Sequence, residues 1–204
     1  MLQEFFAMFF TFFIVVDPLG VIPLYVSLTG FYPEERKRKT ILRALLTAGT
    51  VLLFFILLGK SILLFLGIKP GSFFIAGGIL LFTVSMDMLF AVPKRTKTSE
   101  QERDADDVSI FPLGIPIIAG PGTITTILLY VSRESSGPVL MGALAGVLLL
   151  VLTIAGAAMH LSRYFVKVLG NTGLSVIERI MGLVLSGLSV QFIYDGLIKL
   201  GVFR

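Results

Sequence analysis

Two short stretches of this sequence carry chemistry. "VVDPLGVIPLY" at residues 15–25 puts an acid, two prolines and a glycine inside an apolar run, and "PLGIPIIAGPGT" at 112–123 packs Pro and Gly still more densely. Asp17 before Pro18 fits a helix cap followed by proline at the first helical position. A half-helix would then run from Pro18 past Gly20 and Pro23 toward Tyr25 and Ser27. "GPGTIT" from Gly120 similarly reads as a turn and a fresh helix start. Gly120, Pro121 and Gly122 form the turn, and Thr123 and Thr125 lie near the first helical turn. A helix start presents N–H groups without intrahelical partners and a partial positive charge, which suits a carboxylate. Asp17 suits the opposite charge: an ammonium group, a proton or a cation. A zwitterion would be matched by the two together. The plainer alternative makes Asp17 a structural cap and the prolines and glycines simple bends. The roles are compatible, and an acid at membrane depth is costly enough to point to use.

Membrane depth follows from composition. The chain has 204 residues, 55% hydrophobic and 15% charged, where a soluble domain carries about 25% charged residues. There is no Cys, which removes disulfides and thiolate metal sites, and the lone His160 cannot form a multi-His site. A helix needs about 20 mainly apolar residues to cross the hydrocarbon core. Six candidate spans meet that length, at about 4–30, 41–67, 71–92, 109–131, 138–161 and 178–200. They leave no room for a separate soluble domain. The first run lacks a basic start and continues past its break, so it reads as a span rather than a cleavable leader. The expected fold is all-α: one polytopic membrane bundle over 1–204, broken in spans one and four.

Charge sets the orientation. The segments 31–43, 93–108 and 161–179, expected as the loops of one side, hold twelve Lys and Arg residues, and the remaining chain holds five. The richer side is expected to be cytoplasmic, with both termini outside the inner (plasma) membrane. The net charge of +4 is thus explained by orientation in a bilayer and implies no nucleic-acid partner. The polar stretch "PKRTKTSEQERDADD" at 93–107 reads as a mobile cytoplasmic linker between 1–92 and 109–204.

Three spans per half imply that a duplicated unit would enter the membrane inverted. Residue matches at a shared offset support such a repeat. At 104, Gly78 falls on Gly182, Ser85 on Ser189 and Asp87 on Gln191; at 103, Pro18 falls on Pro121; at 105, "YVS" 25–27 falls on 130–132. Paired breaks in two such halves point to a binding site between them, because irregular backbone survives at that depth only when buried in protein or wetted by a polar cavity. Pro23, Pro116, Ser85, Asp87, Ser189 and Gln191 are further candidates for gating or lining that cavity. Asp87 and Asp195 also read as interfacial or capping acids, and the two Ser and Gln191 as groups bonding between helices. Lys60 and His160 read as interfacial. Glu178 and Arg179 are placed to gate span six or to anchor its start.

The motifs "DPLGVIP" and "FPLGIPIIAGPGTITTILL", in a six-span chain of this length, resemble those of the MarC family of bacterial and archaeal inner-membrane proteins. The resemblance covers the whole chain. It rests on Asp17, Pro18, Gly20 and Pro23, and on Pro112, Leu113, Pro116, Ala119, Gly120, Pro121, Gly122 and Ile124. Its SnatA-like branch is associated with transport of small neutral amino acids, which implies a secondary transporter for glycine and alanine here. On that expectation the solute lies between the two breaks, with Asp17, Pro18, Gly20, Gly120, Pro121, Gly122, Thr123 and Thr125 around it. No resident cofactor is expected; a proton or sodium ion would couple transport. The sequence has no P-loop, so ATP is not the direct driver. Two other classes remain: a small-solute channel or assembly partner without a transport cycle, and an intramembrane enzyme using Asp17 and Asp87, which lacks any Ser/His, Cys or metal set to support it.

Overall fold

The computed structural model describes residues 2–90, 108–132 and 137–202. The 93–107 linker, with Lys94, Arg95, Lys97 and Arg103, lies outside them, as do Arg133 and Arg204. The described chain is helical, without strands. α1 (Leu2–Val16) and α2 (Val21–Thr29) form the broken first span. α3 (Glu34–Leu66) and α4 (Pro70–Phe90) follow. An irregular segment, Ser109–Ile118, and α5 (Pro121–Val131) form the fourth span, bent by 51° at their junction. α6 (Pro138–His160) and α7 (Ser162–Leu200) complete six apolar crossings, counting the bent pair as one.

The helix boundaries follow local chemistry. Pro33 precedes α3 with extended backbone, and Glu34 and Glu35 fill its first turn, where acids favour the helix dipole. The basic stretch 34–43, expected as a loop, is therefore the start of the second span's own helix. Gly67 ends α3 with φ 65°, the left-handed cap glycine tolerates best. The stretch 161–179 was likewise expected as a loop. Instead α7 starts at Ser162 and is interrupted at Gly170, whose φ of 64° no β-carbon-bearing residue adopts cheaply. The short stretch before Gly170 folds back on the bundle: Phe165 and Val166 pack beside Ile22, Ala158 and Leu174. The Arg163 guanidinium pairs with Glu34, which also meets Lys37 Nζ at 3.2 Å. The basic starts of α3 and α7 thus share one end of the molecule.

Two packing units frame the interior. The larger cluster joins α1, α2, α3, α5 and α6 around Phe12, Leu52, Ile56, Leu113, Ile127 and Leu144. The smaller joins α4 and α7, with Val15 of α1, around Phe74, Leu81, Met88, Leu185 and Phe192. α4 and α7 run antiparallel in unusually close contact. A β-carbon on Gly71 would lie 2.8 Å from the Gly196 carbonyl oxygen, one on Gly78 2.8 Å from that of Ser189, and one on Gly182 2.9 Å from that of Ser85. Small residues every seven positions let the two backbones touch. In lipid such close packing substitutes for the missing hydrophobic drive.

Candidate functional site

The first break is built on one residue. Asp17 N–H donates to the Phe13 carbonyl at 3.0 Å, the last bond of α1. Asp17 C=O then accepts from Val21 N–H at 3.0 Å, the first bond of the next helix. Between them Asp17 has φ 51°, a left-handed conformation that Asp and Asn tolerate better than other side-chain-bearing residues. Its Oδ1 accepts the Gly20 N–H at 3.0 Å. The carboxylate therefore closes the turn Pro18–Gly20 and does not cap α2, which starts at Val21 behind Gly20, three residues later than the half-helix expected from Pro18. Gly20 has no room for a side chain: a β-carbon would collide with the Asp17 carboxylate and lie 2.7 Å from Met88 Cε.

The second break is longer. Pro112 and Pro116 each remove a donor, and the residues before them, Phe111 and Ile115, are extended, as a following proline demands. The chain recovers with wide turns: Leu113 N–H reaches the Val108 carbonyl at 3.3 Å, and Ala119 N–H that of Gly114 at 2.9 Å. Gly114 allows this segment to press on Thr47 of α3, 3.1 Å from where a β-carbon would stand. Gly120 is the extended residue before α5, and Pro121 opens the helix. Thr123 Oγ1 donates back across the break to the Ile118 carbonyl at 3.1 Å, and Thr126 Oγ1 to the Gly122 carbonyl at 2.9 Å. These hydroxyls satisfy backbone that lipid could not.

The two breaks meet at a cavity of about 90 Å³. Asp17 and Gly20 line it from the first break; Pro116, Gly120, Pro121, Gly122 and Thr123 line it from the second. Leu81 and Met88 of α4 and Leu185 of α7 close another side. Asp17 is only 5% exposed, and Gly20 N–H is its hydrogen-bond partner among the described residues. Its second oxygen lies over Gly20. By helix rise, Asp17 follows roughly 22 Å of α1 and stands a short turn ahead of roughly 14 Å of α2, inside the span and away from its ends.

Other candidates lie away from this cavity. Pro18 is buried and Pro23 half-buried, both outside the lining. Thr125 is buried with its side chain filling the space left by Gly77 of α4. Ser85 and Ser189 turn onto their own helices, donating to Phe82 at 2.7 Å and Ser186 at 2.6 Å, beside the α4–α7 contact. Gln191 is exposed and donates to Asp195 Oδ1 at 2.8 Å, and Asp87 is half-buried outside the lining. Sequence reasoning missed Leu81, Met88 and Leu185. Leucine occurs in every span and methionine in four of the six, so only the fold distinguishes these three.

Comparison with known proteins agrees with this architecture. A family model described as "MarC family integral membrane protein" matches residues 2–200. A UPF0056 membrane protein of Methanocaldococcus jannaschii is 38% identical over 200 residues, covering 94% of this chain and 86% of that protein. UPF0056 membrane protein YhcE of Escherichia coli is 35% identical over 207 residues, covering 97% and 96%. A UPF0056 membrane protein of Pyrococcus horikoshii is 35% identical over 185 residues, covering 91% and 90%. No solved structure matches the chain.

Proposed function

This chain belongs to the MarC family of integral membrane proteins, and from that premise we propose that it is a secondary transporter of small neutral amino acids. The observation that carries the reading is the meeting of two distant backbone breaks at one cavity beside a buried carboxylate. The α5 start offers the N–H groups of Gly122 and Thr123 to a substrate carboxylate; Pro121 has none to offer. The second oxygen of Asp17 takes the ammonium group. A buried carboxylate with one hydrogen bond is incompletely compensated, and a bound cation completes it. A water needs at least ~10–15 Å³ of such space, so the cavity has room for roughly six to nine water-sized atoms. That suits glycine or alanine.

Two further elements complete the proposal. We read the halves as inverted repeats: at the offset of 104 residues, the Gly78–Ser189 contact and the Gly182–Ser85 contact exchange. We also place the protein in the inner membrane with its basic end cytoplasmic and its termini outside. The Glu34–Arg163 pair supports this by gathering the basic starts of α3 and α7 at one end.

The test is uptake of labelled glycine into proteoliposomes, with proton and sodium gradients imposed separately. The reading expects saturable uptake that rises above equilibrium under one of the two gradients. Uptake no faster than in protein-free vesicles refutes it, and uptake that never saturates identifies a channel instead.

A further inference from the structure

We propose that Leu81, Met88 and Leu185 determine specificity, forming a fixed apolar wall that limits the bound amino acid's side chain to a hydrogen or a methyl group. This rests on the transporter reading and adds residues to it.

The geometry begins with α4. Leu81 and Met88 are seven residues apart, two helical turns, and so share one face about 10 Å long. The ends of that face abut the two breaks. A β-carbon on Gly122 would stand 3.0 Å from Leu81 Cδ1, and one on Gly20 2.7 Å from Met88 Cε. α4 therefore bridges both polar ends of the cavity. Leu185 of α7 joins the same surface and lies in the same apolar cluster. All three side chains are buried. A zwitterion held at its carboxylate by the α5 start and at its ammonium by Asp17 has, beyond the α-hydrogen, one substituent left, its side chain. That substituent points away from the line joining the two breaks, toward this wall.

A size limit also requires that the wall stay in place. α4 is backed by α7 through Gly71, Gly78 and Gly182, where one added β-carbon would lie within 3 Å of the partner's backbone. A seam without room for a methyl group has none into which the wall can retreat. Close-packed interiors transmit such displacement rather than absorb it. Glycine and proline at the breaks bring the backbone near the substrate; these three side chains decide what else fits.

Truncating the wall should enlarge the substrate range. One methylene of misfit is worth about 10- to 200-fold in discrimination. Binding of glycine, alanine, 2-aminobutyrate and valine to purified protein is measured for wild type, Leu81→Ala, Leu81→Val and Leu185→Ala. Size-exclusion and thermal unfolding establish that each variant is folded; Leu81→Val and Leu185→Ala serve if Leu81→Ala is not. The expected result is that folded variants gain at least about tenfold in affinity for 2-aminobutyrate or valine relative to glycine. Folded variants that keep the wild-type order overturn the wall assignment while the transporter reading stands. Wild-type protein that binds none of the four overturns both.

Discussion

Replacing Asp17 by Asn and by Ala separates its two roles. Asn keeps an acceptor for the Gly20 N–H, 3.0 Å away, and tolerates φ 51° nearly as well as Asp. It removes only the charge. Ala removes the cap-like bond to the Gly20 N–H, worth about 0.5–2 kcal/mol, and forces a side chain poorly suited to left-handed backbone, at about 1–2 kcal/mol. Ala should therefore destabilise the protein by roughly 1.5–4 kcal/mol while Asn changes stability little. Binding should divide differently. A hydrogen bond to a charged group contributes about 1.5–3 kcal/mol, so losing the carboxylate charge should weaken glycine binding about 10- to 150-fold. Thermal unfolding in detergent, with and without glycine, reads both effects. Saturation at a hundredfold excess over Kd should stabilise wild type by about 2.7 kcal/mol, and the same glycine concentration should stabilise the Asn variant by only about 0.3–1.4 kcal/mol. An Asn variant stabilised as strongly as wild type would reduce Asp17 to a turn-closing role. An Asn variant as unstable as the Ala variant would remove that structural role.

Gly122→Val should abolish glycine-dependent stabilisation while the protein still inserts, because its β-carbon would lie 2.8 Å from Val15 Cγ1 and 3.0 Å from Leu81 Cδ1 at the cavity edge; normal glycine affinity in that variant removes the α5 start as the carboxylate site. Gly78→Ile should lower stability by about 1–3 kcal/mol through overpacking against the Ser189 backbone, read as a fall in unfolding temperature; an unchanged midpoint refutes the close α4–α7 contact. A reporter fused to the C-terminus should signal from outside the cell, and a cytoplasmic signal reverses the orientation.

The parts of this molecule that local chemistry dictates were legible in advance. Proline and glycine crowded together break a helix, so the junctions at Asp17 and at 112–123 are visible in the residues themselves, whereas Pro23, Gly78 and Gly156 stay within helix. Apolar length announces each crossing. What escaped depends on who faces whom. The charged starts of α3 and α7 read as loops because basic residues seldom enter lipid, yet they extend the spans as helix beyond it. Ser85 and Ser189 attracted notice as intramembrane hydroxyls, although their oxygens are spent on carbonyls one turn back. Thr125, one turn into the half-helix, fills the hollow at Gly77 instead of meeting the cavity. Leu81, Met88 and Leu185 carried no signal at all, since a leucine against a cavity and a leucine against lipid look alike in sequence.

The α4–α7 seam bears on how the protein is made. Gly71 waits for Gly196, Gly78 for Ser189 and Ser85 for Gly182, so each partner emerges roughly one hundred residues later, or on the order of 5–20 s at ordinary synthesis rates. Throughout that interval the glycine face of α4 rests against acyl chains or a temporary neighbour. This seam closes only after α7 has been made, and a nascent chain halted before α7 lacks the clasp.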